Sequence, residues 1–392
     1  MDAYLPAYLK NKNRTRVMSL FFENKELTRP EIAKMTGISM PTVIKITDFL
    51  LGKNLIQENP EKTAASDSGF GRKSQILRLN PQGFFTIGIY FEGNALRIGL
   101  KNMDFVLVRE KAFLTRGEKA SPEQKKSLSF QMAEEIEHIL QLYGRSKILG
   151  IGFALPGIID CRKQKIRHSQ KEEEFEEIYE SFPALKKFQD IPLYLENDMN
   201  AASLGETIQR KLFHHANLLY LSLGTGFGSG VVINGKIWHG TSYFAGNVGQ
   251  MLVPRWTENG LQYGKKRYVE EFICQSELQR KFQFDFQDPG SCDEEKRRTV
   301  VRYVSQYLAY VINNLSQLLD IQDFVLAGLT VEYFGDMLFD VLQEELGKAE
   351  DPERARPELC ITPAVNGREG MIGAAYTALA CSLPELMAEK PQ

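Results

Sequence analysis

An apolar run from Ile191 to Leu195 stops abruptly at Glu196-Asn197-Asp198, and small residues at helical spacing take over through Ala201, Ala202, Ser203 and Gly205. The pattern reads as a strand whose polar end faces whatever lies beyond its sheet, followed at once by a helix. In open α/β sheets, ligand crevices form at the carboxyl ends of strands. Asp198 can take a proton from a hydroxyl there, and Asn197 can hold a polyol through both donor and acceptor. Both residue types are also preferred helix N-caps, so either can instead satisfy orphan N–H groups. A second candidate is the glycine turn Leu223-Gly224-Thr225-Gly226-Phe227-Gly228-Ser229-Gly230 between two apolar runs. Glycines let backbone N–H groups approach a phosphate closely, yet a Gly-rich hairpin also forms without any ligand.

The chain that must position these residues has 392 residues, which favours two or three domains. With 43% hydrophobic and 25% charged residues it has ordinary globular composition. No apolar run reaches the ~18–20 residues that span a bilayer, and Met1-Asp2-Ala3-Tyr4 lacks the layout of a signal peptide. Cys161, Cys274, Cys292, Cys360 and Cys381 show no paired spacing, which argues against disulfides and a Cys-rich metal site. The cytoplasm is the expected compartment. The net charge of −2 hides an asymmetry: residues 1–80 carry 13 Lys and Arg against 8 Asp and Glu, the rest 35 against 42. A basic end on an acidic body suits an N-terminal nucleic-acid module.

Within that end, Val17, Leu20 and Phe21 mark a helix, and Thr28-Arg29-Pro30-Glu31 is a capping-box pattern opening a second. The second helix is expected to bury Ile32, Ala33 and Met35 and to stop at Gly37. Ser39 should cap a third, with Val43, Ile46, Phe49 and Leu50 on one face and a left-handed residue at Asn54. Helix, glycine turn, helix is the helix-turn-helix layout. Ser39, Met40, Thr42 and Lys45 would then enter a DNA major groove, the apolar groups meeting thymine methyls and Lys45 a phosphate. Strands at residues 55–57 and 75–79 flank a polar segment whose Arg72 and Lys73 form a basic wing tip. The alternatives are a small helical hairpin or a winged helix used for protein contacts, and for the wing a solvated loop. Farther on, strands at 84–91, 95–101 and 105–113, a helix at 122–143 and a strand at 147–154 are followed by a second set. That set has strands at 218–223 and 229–233, helices from about 267 to 319, and a strand at 323–327.

The segment Glu196-Asn197-Asp198-Met199-Asn200-Ala201-Ala202-Ser203-Leu204-Gly205-Glu206 resembles the sugar-binding segment of the ROK family, which groups sugar kinases with sugar-responsive repressors. The resemblance runs over nearly the whole chain, and its N-terminal part is similar to the repressor branch, that of xylose and N-acetylglucosamine repressors. It implies a duplicated actin-like (ribonuclease H-like) α/β fold behind a winged helix-turn-helix, with boundaries at 1–80, 81–196 and 197–392 and a C-terminal helix able to pack back on the first lobe. The kinases place the glycine loop, here Gly224, Thr225, Gly226 and Gly228, against ATP phosphates, and carry an acid where this chain has Tyr90. Their later glycine pair is reduced here to Gly328 followed by Leu329. The family pattern Gly-Glu-Ile-Gly-His reads Gly246-Asn247-Val248-Gly249-Gln250, and the cysteine-rich zinc segment reads Pro254 to Lys265 without cysteine.

The resemblance therefore implies a sugar pocket of Asn197, Asp198, Asn247, Gln250 and Glu270, with Glu271 an alternative to Glu270 and His168 a further candidate. A pocket that binds nothing is the plain alternative. Asp198 would be a vestigial base, with neither zinc nor any other cofactor. The expected protein is a non-enzymatic, homodimeric transcriptional regulator that binds an inverted-repeat operator and answers to a sugar or sugar phosphate. The rival expectation is an active sugar kinase with an added DNA-binding domain. The run Lys171 to Glu177 reads as a helix start.

Overall fold

The computed structural model describes residues 5–64, 74–92, 95–114, 122–167, 176–212, 215–258, 260–348, 358–365 and 367–388. Contacts divide the chain into one unit of residues 1–196 and 374–392 and a second of residues 197–373.

The first unit opens with α1 (Leu5–Glu23), β1 (Leu27–Thr28), α2 (Arg29–Thr36), α3 (Met40–Gly52), β2 (Ile56–Ala64) and β3 (Ser74–Leu79). Thr28 and Glu31 make both bonds of a capping box, Pro30 lies in the first turn where its missing N–H costs nothing, and Gly37 ends α2 at φ +68°. Asn54 is left-handed at φ 57°. The small sheet runs β1-β3-β2. Two expectations fail here. Met35 is 47% exposed rather than buried, because Ile32 and Thr36 already fill the inner face of so short a helix. Ser39 occupies the N-cap of α3, but its hydroxyl bonds Thr42 Oγ1 at 2.9 Å instead of the backbone.

The chain continues through β4 (Phe85–Glu92), β5 (Ala95–Asn102), β6 (Leu107–Leu114), α4 (Pro122–Tyr143), β7 (Ile148–Leu155), β8 (Ile158–Asp160), β9 (Lys165–Arg167), β10 (Glu176–Glu177), α5 (Ile178–Ser181) and β11 (Leu193–Asn197). The main sheet has the order β11-β7-β4-β5-β6, with β4 antiparallel to β5 and parallel to β7. In place of a helix start, Glu176 and Glu177 form a strand against β9. Residues 171–175 lie outside the described ones.

The second unit contains α6 (Asp198–Gln209), β12 (Leu218–Leu223), β13 (Phe227–Ile233), β14 (Lys236–Ile237), β15 (Arg255–Thr257), β16 (Gly260–Gln262), α7 (Glu270–Ile273), α8 (Gln275–Phe282), α9 (Glu294–Leu319), β17 (Asp323–Ala327), α10 (Leu329–Phe334), α11 (Asp336–Gly347) and β18 (Cys360–Pro363). Its sheet order, β14-β13-β12-β17-β18, repeats the first: an antiparallel hairpin at the centre, then a parallel neighbour. The helical stretch expected from 267 to 319 is three helices, interrupted at Cys274 and again between Gln283 and Asp293.

Of the last helix, α12 (Glu369–Met387), the residues up to Gly373 belong to the second unit and those from Ala374 to the first. Its first residues pack on α6: a Cβ on Gly373 would lie 1.7 Å from the Ala201 carbonyl oxygen, and one on Gly205 1.8 Å from that of Glu369. Helix backbones approach that closely only at glycine. In the first unit a Cβ on Gly152 of β7 would lie 1.8 Å from the Ala374 carbonyl. Farther along, Leu379, Leu383 and Met387 join the apolar core of the N-terminal module with Val17, Phe21, Ile32, Val43 and Leu77. Buried Arg14 donates to the Met387 carbonyl at 2.7 Å, covering an orphan acceptor at the helix end, and lies 3.6 Å over the Phe49 ring. The module is thus built on α12 and does not hang from a linker.

Candidate functional site

The candidate residues of the second unit gather on the first half of β13. Gly228 and Gly230 admit α6, since a Cβ on them would lie 2.8 Å from Met199 Cγ and 2.0 Å from Ser203 Oγ. The segment 246–250 abuts the same strand: a Cβ on Gly249 would lie 2.4 Å from the Phe227 carbonyl and 2.9 Å from Glu270 Oε2. Ser229 is buried and donates to the Gly246 carbonyl at 2.5 Å, pinning that segment. Its alternation with three glycines is the only sequence signal for this role.

Asn197 is the N-cap of α6, and its Oδ1 accepts from the N–H of Met199 at 2.9 Å and Asn200 at 3.1 Å. Asn197 also hydrogen-bonds the Asp198 carboxylate. It orients Asp198, so the capping reading of this residue holds. Asp198 accepts from Met199 N–H at 2.9 Å. Burial pushes its pKa up to about 6, overcoming the opposite pull of the Met199 and Asp198 N–H groups and Asn197. A carboxyl titrating near neutrality can take or hold a hydroxyl proton.

Gln250 donates through Nε2 to Glu270 Oε1. Asn247 is exposed and its carbonyl accepts from the Gln250 N–H at 3.1 Å. Glu271 is committed elsewhere: its carboxylate caps the N–H groups of Arg267 at 2.8 Å and Tyr268 at 2.9 Å, which holds it below the usual range. Glu270 is the one of the two that faces Gly249, and a Cβ on Gly226 would lie 3.7 Å from its Oε2.

The glycine turn divides by purpose. Gly228 serves the packing of α6. Gly224 and Gly226 have neither a left-handed φ nor backbone against them, so nothing in the fold requires glycine there. Gly328 has φ +92° and a Cβ there would meet the Leu223 carbonyl at 2.4 Å. Tyr90 is buried in β4, opposite Arg97 and Ala154. Between His239 and Cys274 the chain has no Cys or His. The hairpin β15–β16 stands in that stretch, and its residues do not fit the family's zinc.

In the N-terminal module Ser39, Met40 and Lys45 are exposed at the start of α3, with Thr42 half-buried. Ile44 beside them, not singled out by its sequence, is 40% exposed. Arg29 ties the elements together: Nε donates to Thr47 Oγ1 at 2.8 Å, Nη1 to Gln75 Oε1 at 3.1 Å, and Nη2 to Asp48 Oδ1 at 2.9 Å. Arg72, Lys73 and His168 lie outside the described residues.

A five-stranded sheet repeated with the same strand order, its second copy bearing a polar cluster at the central hairpin, defines an actin-like α/β protein. The ROK family pattern matches residues 94–380, and the chain belongs to the ROK family. It is similar to the xylose repressor of Bacillus spizizenii, 28% identical over 255 residues that cover 64% of this chain and 63% of the repressor. That is just under two thirds of the relative's length. Among solved structures, a ROK family transcriptional regulator, a homologue of the E. coli MLC protein, matches 96% of this chain and 98% of its own, with TM-score 0.73 at 17% identity. A ROK hexokinase from Thermus thermophilus matches 76% of this chain and 98% of its own, with TM-score 0.54 at 24% identity. Both structural likenesses are likenesses of fold. Among the described residues no helix is long and apolar enough to cross a membrane.

Proposed function

We propose that the chain is a cytoplasmic, sugar-responsive transcriptional regulator, a homodimeric repressor of carbohydrate-utilisation genes that has lost phosphotransfer. The observation that carries this reading is the N-terminal module: three helices and a three-stranded sheet in the order of a winged helix-turn-helix. The regulator's fold extends over this module, with 96% of the chain matched against 76% for the hexokinase. Residues 1–80 form the DNA-binding domain, and 81–196 and 197–392 the two lobes, with α12 from Ala374 onward packing back on the first unit. Ser39, Met40, Thr42 and Lys45 meet an inverted-repeat operator, as do Arg72 and Lys73 of the wing.

Asp198 and Glu270 accept from the hydroxyls of a sugar, for which D-xylose is the first probe, while Asn247 and Gln250 contribute neutral bonds and Asn197 sets the angle of Asp198. Ligand at Asp198 is communicated through α6 to α12, and through Leu379, Leu383 and Met387 to the module that binds DNA. The test is binding of full-length protein to genomic duplex fragments, compared with a chain lacking residues 1–80. Specific retention by the full chain alone supports the reading, and equal retention by both refutes it.

One observation favours a second reading, an active ROK sugar kinase carrying a DNA-binding domain. Gly224 and Gly226 leave open room beside Glu270, and the α6 head carries Asp198, whose pKa is base-like. Phosphoryl transfer depends on positioned charge and metal, and buried Tyr90 supplies none. ADP release from ATP, magnesium and a hexose and pentose panel should stay at background. Turnover that disappears in Asp198→Asn would establish the kinase.

A further inference from the structure

Met40 and Ile44 lie one helical turn apart on α3, 38% and 40% exposed, and Met35 at the end of α2 is 47% exposed. Val43, Ile46, Thr47 and Leu50 fill the buried face of α3, so Met40 and Ile44 stand on the outward arc with Pro41, Lys45 and Asp48. A single exposed apolar side chain is normal. Two in register at the head of a helix form a patch with a use.

The polar residues around the patch narrow that use. Asp48 is engaged by Arg29 at 2.9 Å, and the Thr42 and Ser39 hydroxyls bond each other at 2.9 Å. Residues 39–52 include no Arg, Asn or Gln, and Lys45 is the one side chain there of the kinds that bond guanine or adenine edges through two hydrogen bonds. What remains outward is apolar surface beside the exposed amine of Lys45, in a segment with 13 basic against 8 acidic residues. The duplex major groove matches that combination: a polyanionic rim around base edges, where the only apolar group is the thymine 5-methyl.

Building on the DNA-binding reading above, we infer that α3 recognises its site chiefly through thymine methyls, with Met40 and Ile44 as specificity-determining residues. The operator half-site then carries thymines at the steps under α3, and its sequence preference comes from apolar contact more than from hydrogen bonding.

The experiment selects duplexes from a random pool with full-length protein, then replaces the selected thymines by deoxyuridine, which lacks only the methyl. Wild-type affinity should fall about fourfold for each methyl in contact. The double variant Met40→Ala/Ile44→Ala, whose exposed positions leave its melting temperature unchanged, should bind thymine and deoxyuridine sites equally. If wild type binds both equally, or the double variant keeps the wild-type discrimination, the inference is overturned while DNA binding stands. If no duplex is enriched at all, the DNA-binding reading fails and this inference with it.

Discussion

The two halves share one sheet topology and have diverged at the same structural place. In the first, the central strand β4 ends near buried Tyr90, and its parallel neighbour β7 carries Gly152, against which the α12 backbone packs. In the second, β12 opens into Gly224 and Gly226 with nothing required against them, and its parallel neighbour β17 has buried Val325 in the middle. One half has turned its strand end into packing that anchors α12 and the N-terminal module. The other has kept its strand end open beside Glu270. The duplicated sheet supplies the scaffold, and side-chain volume at a few positions decides which strand ends are packed and which stay open.

The largest effect that tests this contrast is on stability. Gly152→Ala would push a methyl into the α12 backbone and should cost about 3 kcal/mol or more, because backbone cannot yield as a side chain does. Val325→Ala in the second half should cost about 2 kcal/mol, a cavity without a clash. Urea titration of both variants checks the order, and a milder Gly152→Ala would break the claim that the first half is specialised for packing.

Next comes ligand affinity. Charge-assisted bonds contribute about 1.5–3 kcal/mol, so Asp198→Ala should weaken binding of a sugar found by a thermal-shift screen at least about tenfold. Tyr90→Phe should leave it unchanged. Calorimetry that finds equal losses would erase the distinction between the halves.

A smaller effect follows from the raised pKa of Asp198. Its folded value of about 6 lies above an unfolded value of about 3.9, so the folded state binds more protons between them. Stability from this group therefore falls as pH rises from about 4 to 6 and stays lost above. Asp198→Asn should gain about 1–2 kcal/mol at pH 7.5, discounted for partial exposure, and nothing at pH 4. Melting curves at both values check it.

Much of this was legible because local chemistry leaves marks. The capping box at Thr28, the left-handed Gly37 and Asn54, and the abrupt strand end at Asn197 all follow from orphan backbone groups and conformational preference. Contacts between distant segments leave no such mark. Glu270 and Glu271 are the same residue type side by side; Glu271 folds back on the nearby N–H groups of Arg267 and Tyr268, while Glu270 meets Gln250 and Gly249 from another segment. Met35 looked apolar enough for the core, but an eight-residue helix has an inner face too small to take it. The role of Gly373 and Gly205 required seeing two helices meet.

The most direct test of the account is the affinity of the full-length protein for its selected duplex, measured by fluorescence anisotropy with and without the screened sugar, D-xylose first. The account predicts that saturating sugar weakens operator binding by wild type at least about tenfold, while Asp198→Ala binds the duplex as tightly as unliganded wild type and no longer responds. Operator affinity that ignores every sugar, or a response that survives unchanged in Asp198→Ala, would contradict it.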